Sequence, residues 1–119
     1  MNMVCISGNL CADPVMYTTE SGIMQATCRV AVEREFKDAA TGRRETDFFQ
    51  VVAWRNQAQY IGENARKGDK LTVKGVIQTR RYVKDGVERQ VTEIHADRVE
   101  LDRRSAPSAQ NGERIADSK

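Results

Sequence analysis

At 119 residues the chain is long enough for one hydrophobic core and too short for two. Hydrophobic residues make up 39% and charged residues 30%, so much of the surface must be polar, and nothing approaches the roughly 18 apolar residues of a membrane span. The net charge of +2 is unevenly spread: residues 29 to 89 hold 14 Lys/Arg against 9 Asp/Glu, a surplus of five, while the remainder, with 5 against 8, runs a deficit of three. The middle of the chain is therefore where an anion would be met.

Turn signals divide the first hundred residues into five strand-like stretches and one helix. MVCISGNL comes first, followed by a loop marked by Asp13-Pro14. Residues 22 to 34 alternate: Met24, Ala26, Cys28, Val30 and Val32 share one side, and Gln25, Thr27, Arg29 and Glu33 the other. KDAATGRR reads as a long hairpin loop, with Phe36 at its root. The third strand is TDFFQVVAW, in which Phe49, Val51 and Ala53 point inward and Phe48, Gln50, Val52 and Trp54 point outward.

Residues 56 to 66 form the predicted helix, with Asn56 as the cap, an apolar stripe of Ala58, Ile61 and Ala65, and Gly68 as the stop. KLTVKGVIQTRRYV is the fourth strand, with Leu71, Val73, Gly75 and Ile77 inward. Gly75 there predicts the sharp bend of a small barrel. Lys84-Asp85-Gly86 is a hairpin turn, and the fifth strand runs from about Glu88 to Leu101 with Thr92, Ile94 and Ala96 inward. Residues 103 to 119 contain too little aliphatic material to order themselves and read as a short disordered tail. Strand, strand, strand, helix, strand, strand over residues 1 to 102 matches an all-β OB-fold, a five-stranded Greek-key barrel with its helix between strands 3 and 4.

Catalytic chemistry is not indicated. The single histidine, His95, falls on the outer side of the last strand, and no HExxH, GxSxG or phosphate-binding glycine loop occurs. Cys5, Cys11 and Cys28 are odd in number and lack metal-ligand spacing. They read as reduced thiols in a cytoplasmic protein, with Cys5 and Cys28 as small core residues. No enzyme, metal or cofactor is expected. The opening residues lack the basic start and apolar run of a signal peptide.

The outward faces carry the functional signal. Strand alternation puts Phe48, Trp54 and Tyr82 on one surface with Arg29, Lys74 and Arg80, and Phe36 at the loop root and Arg55 just after Trp54 complete it. Each ring offers a flat apolar platform for an unpaired base, and the cations track phosphates. Duplex hides its base faces by stacking, so such a surface suits single strands. A lone outward aromatic is more often a partly buried surface residue or an oligomer contact. Convergence of rings and cations across three strands favours nucleic acid. An OB-fold protein acting on RNA, or a protein-interaction module such as a primosome accessory factor, remains the alternative.

GNLCADPVMY, KDAATGRRETDFFQVVAW, RKGDKLTVKGVIQTRRY and EIHADRVEL resemble, in order, segments of the bacterial single-stranded DNA-binding proteins of replication, recombination and repair. The similarity runs from Met1 to about Leu101. It implies base-stacking aromatics at Phe36, Phe48, Trp54 and Tyr82, binding with little sequence preference, and a homotetramer paired through the first strand. Members of that family carry a long tail with an acidic, hydrophobic tip that recruits repair and replication enzymes. This chain ends ERIADSK, which puts such recruitment in doubt. A short form of this kind suits a phage or mobile-element protein, or a chain cut before the tip.

Overall fold

Six strands and one helix, one strand more than the patterns give, make up the fold: β1 (Val4–Leu10), β2 (Val15–Thr18), β3 (Met24–Lys37), β4 (Arg44–Trp54), α1 (Arg55–Asn64), β5 (Lys70–Lys84) and β6 (Val87–Leu101). The computed structural model describes residues 1–102, and the tail expected over 103–119 lies outside them. β1 pairs antiparallel with β5, β5 with β6, and β4 with β3, while β6 runs parallel to β4 at Val51/Ile94 and Val52/His95. β3 returns to β1 at Asn9/Ala31 and Leu10/Val30, closing a five-stranded barrel. This is the OB-fold, with its helix between the third and fourth barrel strands.

The core follows the alternation. Ala26, Cys28 and Val30 of β3, Val51 and Ala53 of β4, Leu71 and Val73 of β5, and Ile94 and Val99 of β6 are all buried. Ala58, Ile61 and Ala65 of the helical stretch pack into the same cluster, so α1 plugs one end of the barrel. Burial pushes the Cys28 thiol up to about 11, which leaves it a neutral core residue.

Several side chains depart from expectation for one reason: alternation gives the side of a strand and says nothing of how far the barrel reaches along it. Phe49 and Ile77 have inward parity yet are 36% and 44% exposed, because β3, β4, β5 and β6 run on past the core. Thr92 is exposed for the same reason, whereas Ala96 is partly buried against the core. Val52, on the outward side, is 2% exposed because neighbouring side chains of that face cover it. Cys5 is exposed, not a core residue.

β2 is the strand that Asp13-Pro14 and the polar run after it concealed. It adds to the edge of β3, pairing Val15 with Thr27 and Tyr17 with Gln25. α1 begins one residue before the predicted start. Trp54 is its N-cap with no side-chain hydrogen bond, so Asn56 does not cap it, and the C-cap is Ala65. Gly68, at φ 90°, instead turns the chain into β5 and donates its N–H to the Leu10 carbonyl at 2.9 Å.

The predicted bend at Gly75 is present as a register shift between Lys74 and Gly75, where the strands approach so closely that a Cβ on Gly75 would lie 2.0 Å from the His95 carbonyl oxygen. Asp85 and Gly86 both take positive φ, 54° and 76°, which is the tight hairpin turn that the right-handed strand twist favours.

Candidate nucleic-acid interface

The outward side chains of β3, β4, β5 and β6 come together because the register aligns them. Thr27 pairs with Val52, Val52 with His95, and His95 with Val76, forming one row across four strands. Arg29 pairs with Gln50 and Gln25 with Trp54 on flanking rows. A cleft of about 430 Å³ opens here, walled by Trp54 and Arg80 and floored by Gln50, Val52, Glu93 and His95, with Gln25 and Thr27 at its side.

The floor is organised by Glu93, which pattern reading did not single out. Its carboxylate is 3% exposed in the middle of a face otherwise rich in cations. Gln50 Nε2 donates to it at 2.7 Å and Arg80 donates at 2.9 Å; His95 Nε2 lies 3.3 Å from its other oxygen. The Arg80 hydrogen bonds hold the carboxyl below the usual glutamate range; burial opposes this, and the contacts from His95 and Gln50 reinforce it. The same pair keeps Arg80 firmly charged. Gln50 and Arg80 lie 43 and 13 residues from Glu93 in the chain, so no local signal marks them as its partners.

Two rings already carry a cation. The Arg29 guanidinium carbon lies 4.9 Å from the Phe48 ring centroid, as expected of diagonal neighbours on β3 and β4, and that of Arg80 lies 5.8 Å from the Tyr82 centroid. Phe48 is 51% exposed, Trp54 38% and Tyr82 39%, so each keeps open ring surface. Arg55 follows Trp54 at the strand-to-helix junction in the left-handed region, at φ 57°.

Phe36 and Lys74 stand apart from this group. Phe36 is 83% exposed on an irregular stretch of β3 between Glu33 and Lys37, at the root of the β3–β4 loop. The loop itself is shorter than the sequence implied. It is held by Asp38, which accepts from the N–H groups of Ala40 and Gly42. Lys74 lies beyond the Gly75 bend, with Cys5 and Arg98 as its strand partners. Among the described residues no three or more His, Cys, Asp or Glu gather as a metal site, and no helix is long and apolar enough to cross a membrane.

A family model described as the single-strand binding protein family matches residues 1–102. The chain is 40% identical over 113 residues to single-stranded DNA-binding protein 3 of Listeria innocua, covering 94% of this chain and 68% of that protein. It is 41% identical over 103 residues to single-stranded DNA-binding protein 3 of Clostridium acetobutylicum, covering 85% and 70%. It is 39% identical over 114 residues to a single-stranded DNA-binding protein of Bacillus cereus, covering 94% and 66%. The chain thus spans about two thirds of the length of these relatives.

Proposed function

The chain belongs to the single-strand binding protein family, and from that premise we propose that it binds single-stranded DNA with little sequence preference, protecting it during replication, recombination and repair. The observation that carries the reading is the cleft beside Trp54, flanked by Phe48 and Tyr82, each with a guanidinium seated against it. Bases stack on Phe48, Trp54, Tyr82 and the outlying Phe36, while Arg29, Arg55 and Lys74 meet phosphates. Arg80 has a different part. Its charge is already paired with Glu93, so it fixes the cleft wall more than it neutralises the strand.

The protein works in the cytoplasm as a homotetramer. Support for assembly comes from β1, whose residues Val4–Gly8 are hydrogen-bonded to β5 on one side and reach β3 only at Asn9 and Leu10, leaving a strand edge for a second copy. Light scattering at micromolar concentration should report four times 13.4 kDa.

Titration with oligo-dT and with duplex of equal length, following Trp54 emission, tests the binding. Oligo-dT should quench Trp54 strongly and duplex weakly. Log affinity should fall with log salt at about −0.7 per contacted phosphate. Equal affinity for duplex, or a flat salt response, would remove the reading, and stronger binding of an RNA oligomer would redirect it.

A further inference from the structure

We propose that β2 belongs to the strand-binding face and that Tyr17 is an additional base-stacking platform, set beside Trp54. The inference rests on the single-strand reading above and extends its footprint to a strand that pattern reading took for a loop. Register supplies the geometry. Tyr17 pairs with Gln25, and Gln25 pairs with Trp54, so the three form one row across β2, β3 and β4. At about 4.8 Å per strand, Tyr17 and Trp54 stand roughly 10 Å apart on the same side of the sheet.

The opposite side of β2 is already used. Met16 pairs with the fully buried Ala26 and reaches α1, where its Cε would lie 2.8 Å from a Cβ on Gly62. Since neighbouring side chains of a strand point to opposite faces, Tyr17 and Val15 must point away from the helix and onto the side of Trp54. Tyr17 is 58% exposed and Val15 67%. No hydrogen bond engages the Tyr17 hydroxyl among the described residues, so the ring does little for the barrel itself. Its position adds an apolar ring on the β2 side of the cleft, across Gln25 from Trp54.

Affinity for oligo-dT should be compared for the full chain, Tyr17→Ala and Tyr17→Phe. Tyr17→Ala should bind about tenfold more weakly and Tyr17→Phe nearly as well as the parent, all with the same melting temperature and light-scattering mass. A double variant, Tyr17→Trp with Trp54→Phe, carries its only indole on β2, and oligo-dT should quench that emission. If Trp54 of the parent is quenched but Tyr17→Ala binds equally well, or the double variant's emission is unmoved, the platform is overturned and the wider reading stands. If affinity falls only together with the assembly mass, Tyr17 is a contact between copies and the proposal is wrong. If oligo-dT leaves Trp54 of the parent unquenched, both fail.

Discussion

Arg80 and Glu93 form an ion pair whose two halves live in different surroundings: the guanidinium is 56% exposed and the carboxylate, 2.9 Å away, is 3% exposed. The pair therefore secures a buried charge more than it offers a free cation. Arg80→Ala strips the main partner from that carboxylate and should lower the melting temperature clearly. Lys74, an exposed side chain, forms no ion pair among the described residues. Lys74→Ala should therefore leave the melt unchanged and reduce the salt slope by about 0.7. Thermal melts and salt titrations of the two variants read out the contrast.

Acid should expose the same relationship. The Arg80 hydrogen bonds depress Glu93 below its unfolded value of about 4.3. Its contribution to stability is therefore complete above that value and is lost as pH falls through the lower folded-state pKa. Glu93→Gln should be less stable than the parent at pH 6, and the gap should close as melts are taken below about pH 4. A gap that widened in acid would contradict the assigned pair.

Phe48 and Phe49, adjacent in β4, should respond differently. Phe48→Ala should leave melting nearly unmoved and weaken single-strand binding by about 1–3 kcal/mol. Phe49 has the core's parity but is 36% exposed, so Phe49→Ala should cost less than the ~3–5 kcal/mol of a fully buried phenylalanine, with affinity retained. If Phe49→Ala instead loosens DNA and Phe48→Ala unfolds the barrel, the roles are reversed.

Arg55 sits at φ 57°, where a side chain is strained by about 1–2 kcal/mol and glycine is not. Arg55→Gly should hold or raise the melting temperature while weakening single-strand binding and reducing its salt slope. Opposite signs on stability and affinity would mark a position kept for its charge.

How legible the barrel is from sequence depends on which physical signal each residue carries. Met24-Ala26-Cys28-Val30 and Leu71-Val73-Gly75 state their side of the sheet in alternation alone, and Asp85-Gly86 states its turn in backbone preference. Depth along a strand is set by where partner strands end, which no local pattern carries; Phe49, Ile77 and Thr92 share the core's side of the sheet and lie beyond its end. β2 is concealed because Asp13-Pro14 before it and Thr19-Glu20-Ser21 after it speak for a loop, while its four residues are too few to alternate convincingly. At the candidate interface, the rings announced themselves as outward aromatics, and Phe48, Trp54 and Tyr82 lie along one face. Glu93 did not, since an acid in a strand looks solvated until its partners arrive from β4 and β5.

The seam of the barrel also sets a timetable. Asn2 exchanges hydrogen bonds with Ile77, 75 residues downstream, and Val4 meets Gly75. At about 5–20 residues per second of synthesis, roughly 4–15 s separate the emergence of these partners from the ribosome. Through that interval β1 holds Val4, Ile6 and Leu10 with no β5 to cover them, while β3 and β4 can already form their hairpin. The first strand made is then among the last to be fixed in place. A nascent chain stalled before residue 70 should keep its amino end sensitive to protease and attractive to chaperones, and one stalled well beyond residue 102 should not.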